Sequence, residues 1–357
     1  MVKTAIFLGG GASAAAMAPV QADLFREYFR LVRDSDSVIN SEMYREVTAY
    51  FATLFDIDIT KNDVENLLFP TFEEALGILD LAVRRREALK DFDLENISKN
   101  SNRIGFLRQY LVLLMAAVLD YKSSDPRDLH CSMIQGLERA GLLMDTTFIT
   151  TNYDTLIDDA LARVPFYQID YGIDFINLNP NYASSSAGSV KLYKIHGSLN
   201  WLYCPTCNTI SLTTKEKGII RLLEDMKNSD CKRCQSVMLP VIVPPTFFKD
   251  MSNVFLSLVW NKAEQALLEV NRIIFCGYSF SDADMHIKYL MKRIQTNRVE
   301  PSSLHIYVIN NHHGKNEHAR ISEKRRYTRF LGRLVEYTDL AFEDFVNDPA
   351  SYFHTFH

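Results

Sequence analysis

Thr4-Ala5-Ile6-Phe7-Leu8-Gly9-Gly10-Gly11-Ala12-Ser13-Ala14 opens the chain as an apolar run followed by a glycine turn and small residues. A short apolar run of this kind reads as a buried strand, and Leu24, Phe25, Tyr28, Phe29 and Val32 beyond it recur at helical spacing. Strand, turn and helix in that order form the first unit of an open α/β sheet, in which ligands bind outside the strand carboxyl ends. Three distant loops fit the same description. Thr151-Asn152-Tyr153-Asp154 follows the strand signal Thr147 to Thr150, His196-Gly197 follows Lys191 to Ile195, and Gly277-Tyr278-Ser279 follows Arg272 to Cys276. Four loops at four strand ends predict one nucleotide crevice.

Further strand signals at Val237 to Val243 and Leu304 to Ile309, with helical segments between several of them, argue for a mostly parallel sheet. From about Val38 to Gly141 the pattern is helical instead. Thr71 and Glu74 have capping-box spacing ahead of Ala75, Leu76, Leu79 and Val83; Ile104, Leu107, Leu111, Leu114 and Val118 make a second stripe. Leu129, Met133 and Leu137, after Asp125 and Pro126, make a third. The expected architecture is α/β: a Rossmann-like parallel sheet (residues 1–37 and 142–357) with a large helical insertion (38–141) serving packing or assembly. A small four-cysteine zinc-ribbon module (200–240) is set into the sheet domain. Asn177 to Ser189, rich in Asn, Ser and Gly, reads as a surface loop.

The 357 residues, 47% hydrophobic, can fill a sizeable core. A net charge of -5 argues against direct nucleic-acid binding, which relies on clustered Lys and Arg. The basic run Arg320, Lys324, Arg325, Arg326, Arg329 and Arg333 reads as a solvated face, with docking of an acidic partner as the alternative. At the amino terminus the glycines interrupt any signal-peptide core, and cleavage near Ala18 or Ala22 would remove the first strand. The longest apolar run, Leu111 to Leu119, falls well short of the ~20 residues a bilayer span needs. The expectation is a cytoplasmic protein with no membrane partner.

Cys204/Cys207 and Cys231/Cys234 form two CxxC knuckles. Two such turns supply the four thiolates of a tetrahedral zinc, and Lys232 and Arg233 offset the negative charge; two disulfides are the alternative. Four thiolates close the coordination sphere, so the metal is expected to be structural. Cys131 and Cys276 sit in apolar contexts and read as core thiols.

Gly9, Gly11 and Ala14 match GxGxxA, whose logic is a tight turn and close backbone approach to a pyrophosphate. A dehydrogenase would add an acidic residue ~20 positions on, at the end of a second strand. Here that region, around Glu27 and Phe29, is helical, which disfavours hydride transfer.

Taken in order, the glycine loop, Asn-x-Asp, His-Gly, the paired knuckles and the late Gly-x-Ser loop resemble the sirtuin family, over residues 1–20 and about 145–310. That resemblance implies that Asn152 and His196 are the catalytic pair and that Asp154 contacts the nicotinamide end of NAD. It places Gly9, Gly11, Ala12, Ser13, Gly277 and Ser279 around the phosphates and riboses, and Asn310 at the adenosine ribose. The chemistry agrees. Nicotinamide leaves NAD as a neutral base, so the demand falls on stabilising an oxocarbenium-like ribose and placing one nucleophile. A short amide can orient a water or hydroxyl, and an imidazole, titrating near ~6.5, can accept its proton.

The chain departs from the deacylating members of that family. Ala16-Met17-Ala18-Pro19-Val20-Gln21 replaces their isoleucine-proline-aspartate-phenylalanine-arginine segment. Leu239 to Lys249, where they would pair an acyl-lysine peptide, carries Pro240, Pro244 and Pro245, each without the N–H that strand addition uses. The expected function is therefore an NAD glycohydrolase, releasing ADP-ribose and nicotinamide. The resemblance is to stand-alone bacterial sirtuin-like effectors of anti-phage defence, which implies a homo-oligomer or a HerA-type ATPase partner as activator. Protein deacylation or ADP-ribosyl transfer, and a non-enzymatic NAD or ADP-ribose sensor, are the alternatives.

Overall fold

The structure is a computed structural model that describes residues 3–34, 41–61, 63–94, 102–122, 127–165, 167–177, 188–213, 230–243, 253–282, 284–298, 304–332 and 335–353. Val38, Asp125, Pro126, Pro244, Pro245, Lys249, Arg333 and most of the Asn177 to Ser189 loop lie outside those residues.

Seven strands form one parallel sheet: β1 (Thr4–Leu8), β2 (Thr146–Thr150), β3 (Gln168–Asp170), β4 (Ser189–Lys194), β8 (Arg272–Cys276), β9 (His305–Ile309) and β10 (Val335–Thr338), in the order β10-β9-β8-β1-β2-β4-β3. β1, β2 and β8 are buried along their whole length, which explains why they read as continuous apolar runs and not as alternating ones. The order reverses at β1. The chain lays β2 on one side of it and returns much later to lay β8 on the other, which makes β1 the topological switch point.

Register then decides where the loops open. Leu8 pairs with both Thr150 and Cys276, Thr150 pairs with Lys194, and Cys276 pairs with Ile309. Five strands thus end on one row across the sheet. The residues after that row, Gly9, Thr151, Ile195, Gly277 and Asn310, begin their loops at one level.

Two large cores divide the molecule. The sheet core joins Ile6, Phe7, Phe148, Ile149, Leu192, Ile274 and Phe275 to the flanking helices α6 (Leu129–Arg139), α8 (Val254–Glu269), α9 (Met285–Asn297) and α10 (Glu317–Leu331). The helical core is formed by α2 (Leu24–Asp34), α3 (Ser41–Phe55), α4 (Phe72–Arg85) and α5 (Arg103–Lys122). Phe25, Phe29, Phe51, Phe69 and Phe72 form its aromatic centre, with ring centroids 4.7–6.1 Å apart. The cores change hands near residues 24 and 129, against the expected 38 and 141. Leu24, Phe25 and Tyr28 face the helical block, whereas Cys131, Met133, Ile134 and Leu137 face the sheet.

The capping box at α4 forms as the spacing predicts: Glu74 N–H donates to Thr71 Oγ1 at 3.2 Å and Thr71 N–H donates to the Glu74 carboxylate at 2.8 Å. Helix α5 is long and apolar enough to cross a membrane by length and composition. It is packed instead against α2, α3 and α4, with Ile104, Leu107, Leu111 and Leu114 fully enclosed.

Beyond β4 a smaller antiparallel sheet, β6-β5-β7, is built from β5 (Gly197–Cys204), β6 (Thr209–Leu212) and β7 (Leu239–Ile242). Pro240 sits in β7, on the edge of this sheet, opposite Leu202.

Candidate active site and metal centre

A cavity of about 380 Å³ opens above the row of strand ends. Gly11, Ser13, Asn152, Asp154, His196, Gly277, Ser279 and Asn310 all line it. Gly9 and Ala12 lie just behind, in the turn and in the six-residue helix α1 (Gly10–Ala15).

The glycines have a reason that the motif does not convey. A Cβ on Gly9 would lie 2.6 Å from Tyr278 Cα, one on Gly11 would lie 2.8 Å from the Gly277 carbonyl, and one on Gly277 (φ +60°) would lie 2.2 Å from Ala12 N. Gly11 N–H donates to Gly277 O at 2.7 Å, and Gly9 N–H to Cys276 O at 2.9 Å. These glycines let two loops lie backbone against backbone. Gly10, by contrast, has open space where its side chain would be and faces the cavity.

A chain of hydrogen bonds fixes the Asn152 loop. Thr150 Oγ1 donates to Leu8 O and accepts from Asn152 N–H, both at 2.9 Å, tying β2 to β1. The Asn152 side chain donates to Gly9 O at 2.9 Å and to Ser13 Oγ at 2.8 Å. A carbonyl can only accept, so Nδ2 must be the atom facing Gly9, and both its protons are engaged. Only Oδ1 of the amide is left to meet a ligand. Ser13 Oγ–H donates in turn to Asp154 at 2.7 Å, and Asp154 also accepts from Leu156 N–H at 3.1 Å. Ser13 and Asp154 line the cavity, yet their polar atoms serve first to hold Asn152.

Beneath this loop lies a residue that sequence reasoning missed. Lys194, the last residue of β4, is completely enclosed; its ammonium donates to Asp154 O at 2.5 Å and to the Asp158 carboxylate at 2.8 Å. Tyr171 O–H completes that carboxylate at 2.8 Å. An amphiphilic lysine at a strand end carries no sequence signal of burial, because its partner comes from α7 (Leu156–Ala162).

His196 follows β4 and is almost wholly buried. Its ring is stacked on Tyr153 at 6.3 Å, and its carbonyl accepts from Val243 N–H at 2.8 Å. Tyr153 O–H donates to Val243 O at 2.6 Å, and burial pushes its phenol well above the usual range. His196 Nε2 meets His286 Nε2 at 2.7 Å, so one ring must donate and the other accept. His286 was also missed. It lies in the first turn of α9, two residues after Asp284, and the run Asp282-Ala283-Asp284-Met285-His286 directly after the Gly-x-Ser loop is the signal that could have found it.

The cavity has walls that the motifs did not foretell. Leu24, Glu73, Met115 and Leu119 come from the helical block, and Lys315 and Glu323, paired at 2.7 Å, come from the segment after β9. Asn310 donates to Tyr337 O–H at 3.5 Å.

The four cysteines converge in the small sheet. In each knuckle the residue four places after the first cysteine, Asn208 or Gln235, takes a left-handed φ (52° and 62°) and donates its N–H back to that cysteine's carbonyl, at 2.9 and 2.8 Å. Cys204 and Cys234 Sγ are 3.4 Å apart and Cys207 and Cys231 Sγ 3.5 Å. Disulfide sulfurs would be ~2.05 Å apart, whereas thiolates around a tetrahedral zinc lie about 3.8 Å apart. All six cysteines are free, and these four sulfurs lie within 4.8 Å of one another. Backbone N–H groups of Arg233 and Cys234 pull the Cys231 thiol down, towards the thiolate that zinc takes, while, against the pull of the Thr209 hydroxyl, burial and the neighbouring Cys231 push the Cys207 thiol up without a metal charge beside it. The donor set fits a structural zinc.

The family model described as a SIR2-like domain matches residues 146–331. No curated protein matches. Among solved structures, the chain is similar to a Sir2 protein bound to a propionylated peptide, at 13% identity and a TM-score of 0.40, covering 98% of this chain and 92% of that one. It is also similar to the structure titled "Sir2-p53 peptide-NAD+", at 14% identity, a TM-score of 0.39 and the same coverage. The matched segment begins at the strand before Asn152 and takes in His196, both cysteine knuckles, Gly277 and Asn310. The glycine loop lies ahead of it and joins the site through the pairing of β1 with β2 and β8 and through its hydrogen bonds with Asn152, Asp154 and Gly277. Over more than half its length, then, the chain belongs to the SIR2-like domain family.

Proposed function

We propose that this protein is an NAD glycohydrolase, cleaving NAD with water to ADP-ribose and nicotinamide. The observation that carries the reading is the fixed amide of Asn152 on the same cavity as His196. With Nδ2 committed to Gly9 and Ser13, Asn152 Oδ1 orients the attacking water or a ribose hydroxyl. His196, the accepting member of its pair with His286, takes the proton at Nε2 as the His286 N–H yields that position to the nucleophile. Gly9, Gly11, Ala12, Ser13, Gly277 and Ser279 would surround the phosphates and riboses and Asn310 the adenosine ribose, with Asp154 behind the nicotinamide end. NAD supplies the scissile bond between ribose and nicotinamide; the protein supplies position and one proton acceptor. Zinc, held by Cys204, Cys207, Cys231 and Cys234, would brace the small sheet and take no part in the reaction.

Hydrolysis is preferred to peptide deacylation because Pro240 removes an N–H from the edge strand β7, and because Glu73, Met115 and Leu119 of the helical block wall the cavity. A cytoplasmic, NAD-depleting effector of anti-phage defence, restrained until it assembles or meets an ATPase partner, fits such a walled site.

The test is nicotinamide release by purified protein given NAD, across protein concentrations and with and without an acyl-lysine peptide. Peptide-independent release, lost in Asn152→Ala and His196→Ala, supports hydrolysis. Strict dependence on the peptide would establish deacylation instead, and tight binding of NAD without turnover in any assembly state would establish a sensor.

A further inference from the structure

We infer that His196, His286 and Asp284 form a second metal site, separate from the four cysteines and selective for a zinc-like divalent cation. Nε2 or Nδ1 of the two rings and a carboxylate oxygen of Asp284 lie within 4.8 Å of one another. Two imidazoles and one carboxylate with an open fourth position are a donor set that zinc and its neighbours take, and that magnesium and calcium do not favour.

The 2.7 Å contact between the two Nε2 atoms marks where the cation would sit. Two nitrogens each ~2.05 Å from zinc at the tetrahedral angle stand about 3.3 Å apart, so the Nε2 atoms need to separate by about 0.6 Å, and the rings, now nearly end to end with centroids 4.9 Å apart, need to swing so that their lone pairs converge on the ion. The cation takes the place of the shared proton, which moves through solvent to Nδ1 of the ring that carried it, so both ligands are neutral imidazoles.

The carboxylate is held by a hydrogen bond, and one indole packs beside both histidines. Tyr278 O–H donates to Asp284 Oδ2 at 2.8 Å. The His286 ring lies 5.4 Å from the Trp260 ring, and Trp260 Nε1–H donates to the carbonyl of Ile195, the residue before His196, at 2.8 Å. One indole therefore braces both histidines. His196 and Asp284 line the cavity, so the fourth ligand would be drawn from it.

A cation here occupies the nitrogen that the hydrolysis reading assigns to proton acceptance, so bound metal and base action exclude each other. That consequence rests on the proposed function; the metal site does not.

The experiment is a titration of purified full-length protein, its cysteine zinc in place, with cobalt(II), followed by visible absorption and metal analysis. One further equivalent is expected, without the thiolate-to-cobalt charge-transfer band that a cysteine site gives. His286→Asn and Asp284→Asn should each weaken that equivalent at least about tenfold while the cysteine zinc is retained. No further equivalent at millimolar cobalt, a thiolate signature on it, or unchanged affinity in both folded variants overturns the site. Zinc should also suppress nicotinamide release by wild-type protein. Binding without suppression would leave the metal site standing and remove His196 from the proposed reaction.

Discussion

Asn152 Nδ2 donates to Ser13 Oγ at 2.8 Å across 139 residues of sequence, and the Ser13 hydroxyl donates in turn to Asp154. The amide at the centre of the proposed reaction is thus aimed by the glycine loop, and the serine of that loop is an orienting group before it is a ligand for phosphate. Ser13→Ala should lower nicotinamide release while NAD binding falls less. It leaves a buried carboxylate short of one donor, so stability should drop by about 1–3 kcal/mol in denaturant titration. Unchanged turnover would show that the amide needs no such support.

The glycines divide by what their missing side chains would strike. Gly277→Ala places a Cβ against Ala12 N at a left-handed φ, and should cost about 2 kcal/mol or more and loosen the crevice. Gly10→Ala meets nothing and should change stability by no more than about 0.5 kcal/mol. Thermal melts of the two variants side by side make the comparison, and equal losses would refute the loop-packing account.

Lys194→Met removes the ammonium that holds the Asp154 carbonyl and the Asp158 carboxylate, leaving Asp158 buried with Tyr171 as its remaining side-chain partner. A loss of about 3–5 kcal/mol is expected from equilibrium unfolding. Adding Asp158→Asn should recover part of it, because the stranded charge then disappears.

His130 is buried beside Phe342, its Nδ1 without a hydrogen-bond partner among the described residues; burial lowers its imidazole to about 4, against an opposing pull from Asp154. The folded protein therefore binds this proton less readily than the unfolded chain does. Its contribution is whole above ~6.5 and is lost as pH falls towards 4, by up to about 3 kcal/mol. Unfolding free energies measured across that window should fall with acid in wild type and less steeply in His130→Leu. Parallel slopes would show that the ring is solvated.

Purified protein should carry about one zinc per chain in the cysteine site. Cys231→Ser or strong chelation should remove it and melt the small sheet, whose own core is little more than Leu202, Met238 and the cysteines. Less than about a tenth of an equivalent in fresh protein would refute the assignment.

The residue sequence determined the parts whose physics is local. Apolar runs such as Ile6 to Leu8 and Ile273 to Cys276 mark strands because both faces of those strands are covered, and the Thr71/Glu74 box marks a helix start because its partners are three residues apart. The CxxC knuckles likewise announce themselves through a turn only five residues long. The four loops could be grouped from sequence because each stands directly after such a run. Tertiary structure alone decided what depends on partners far along the chain. Register brought the loops that begin at Gly9, Thr151, Ile195, Gly277 and Asn310 to one level, and the fold turned Lys194 inward onto a carboxylate from another element and set His286 against His196. It also placed α2 in the helical core and α6 on the sheet, since an amphipathic stripe states that a helix is buried on one face without stating against what.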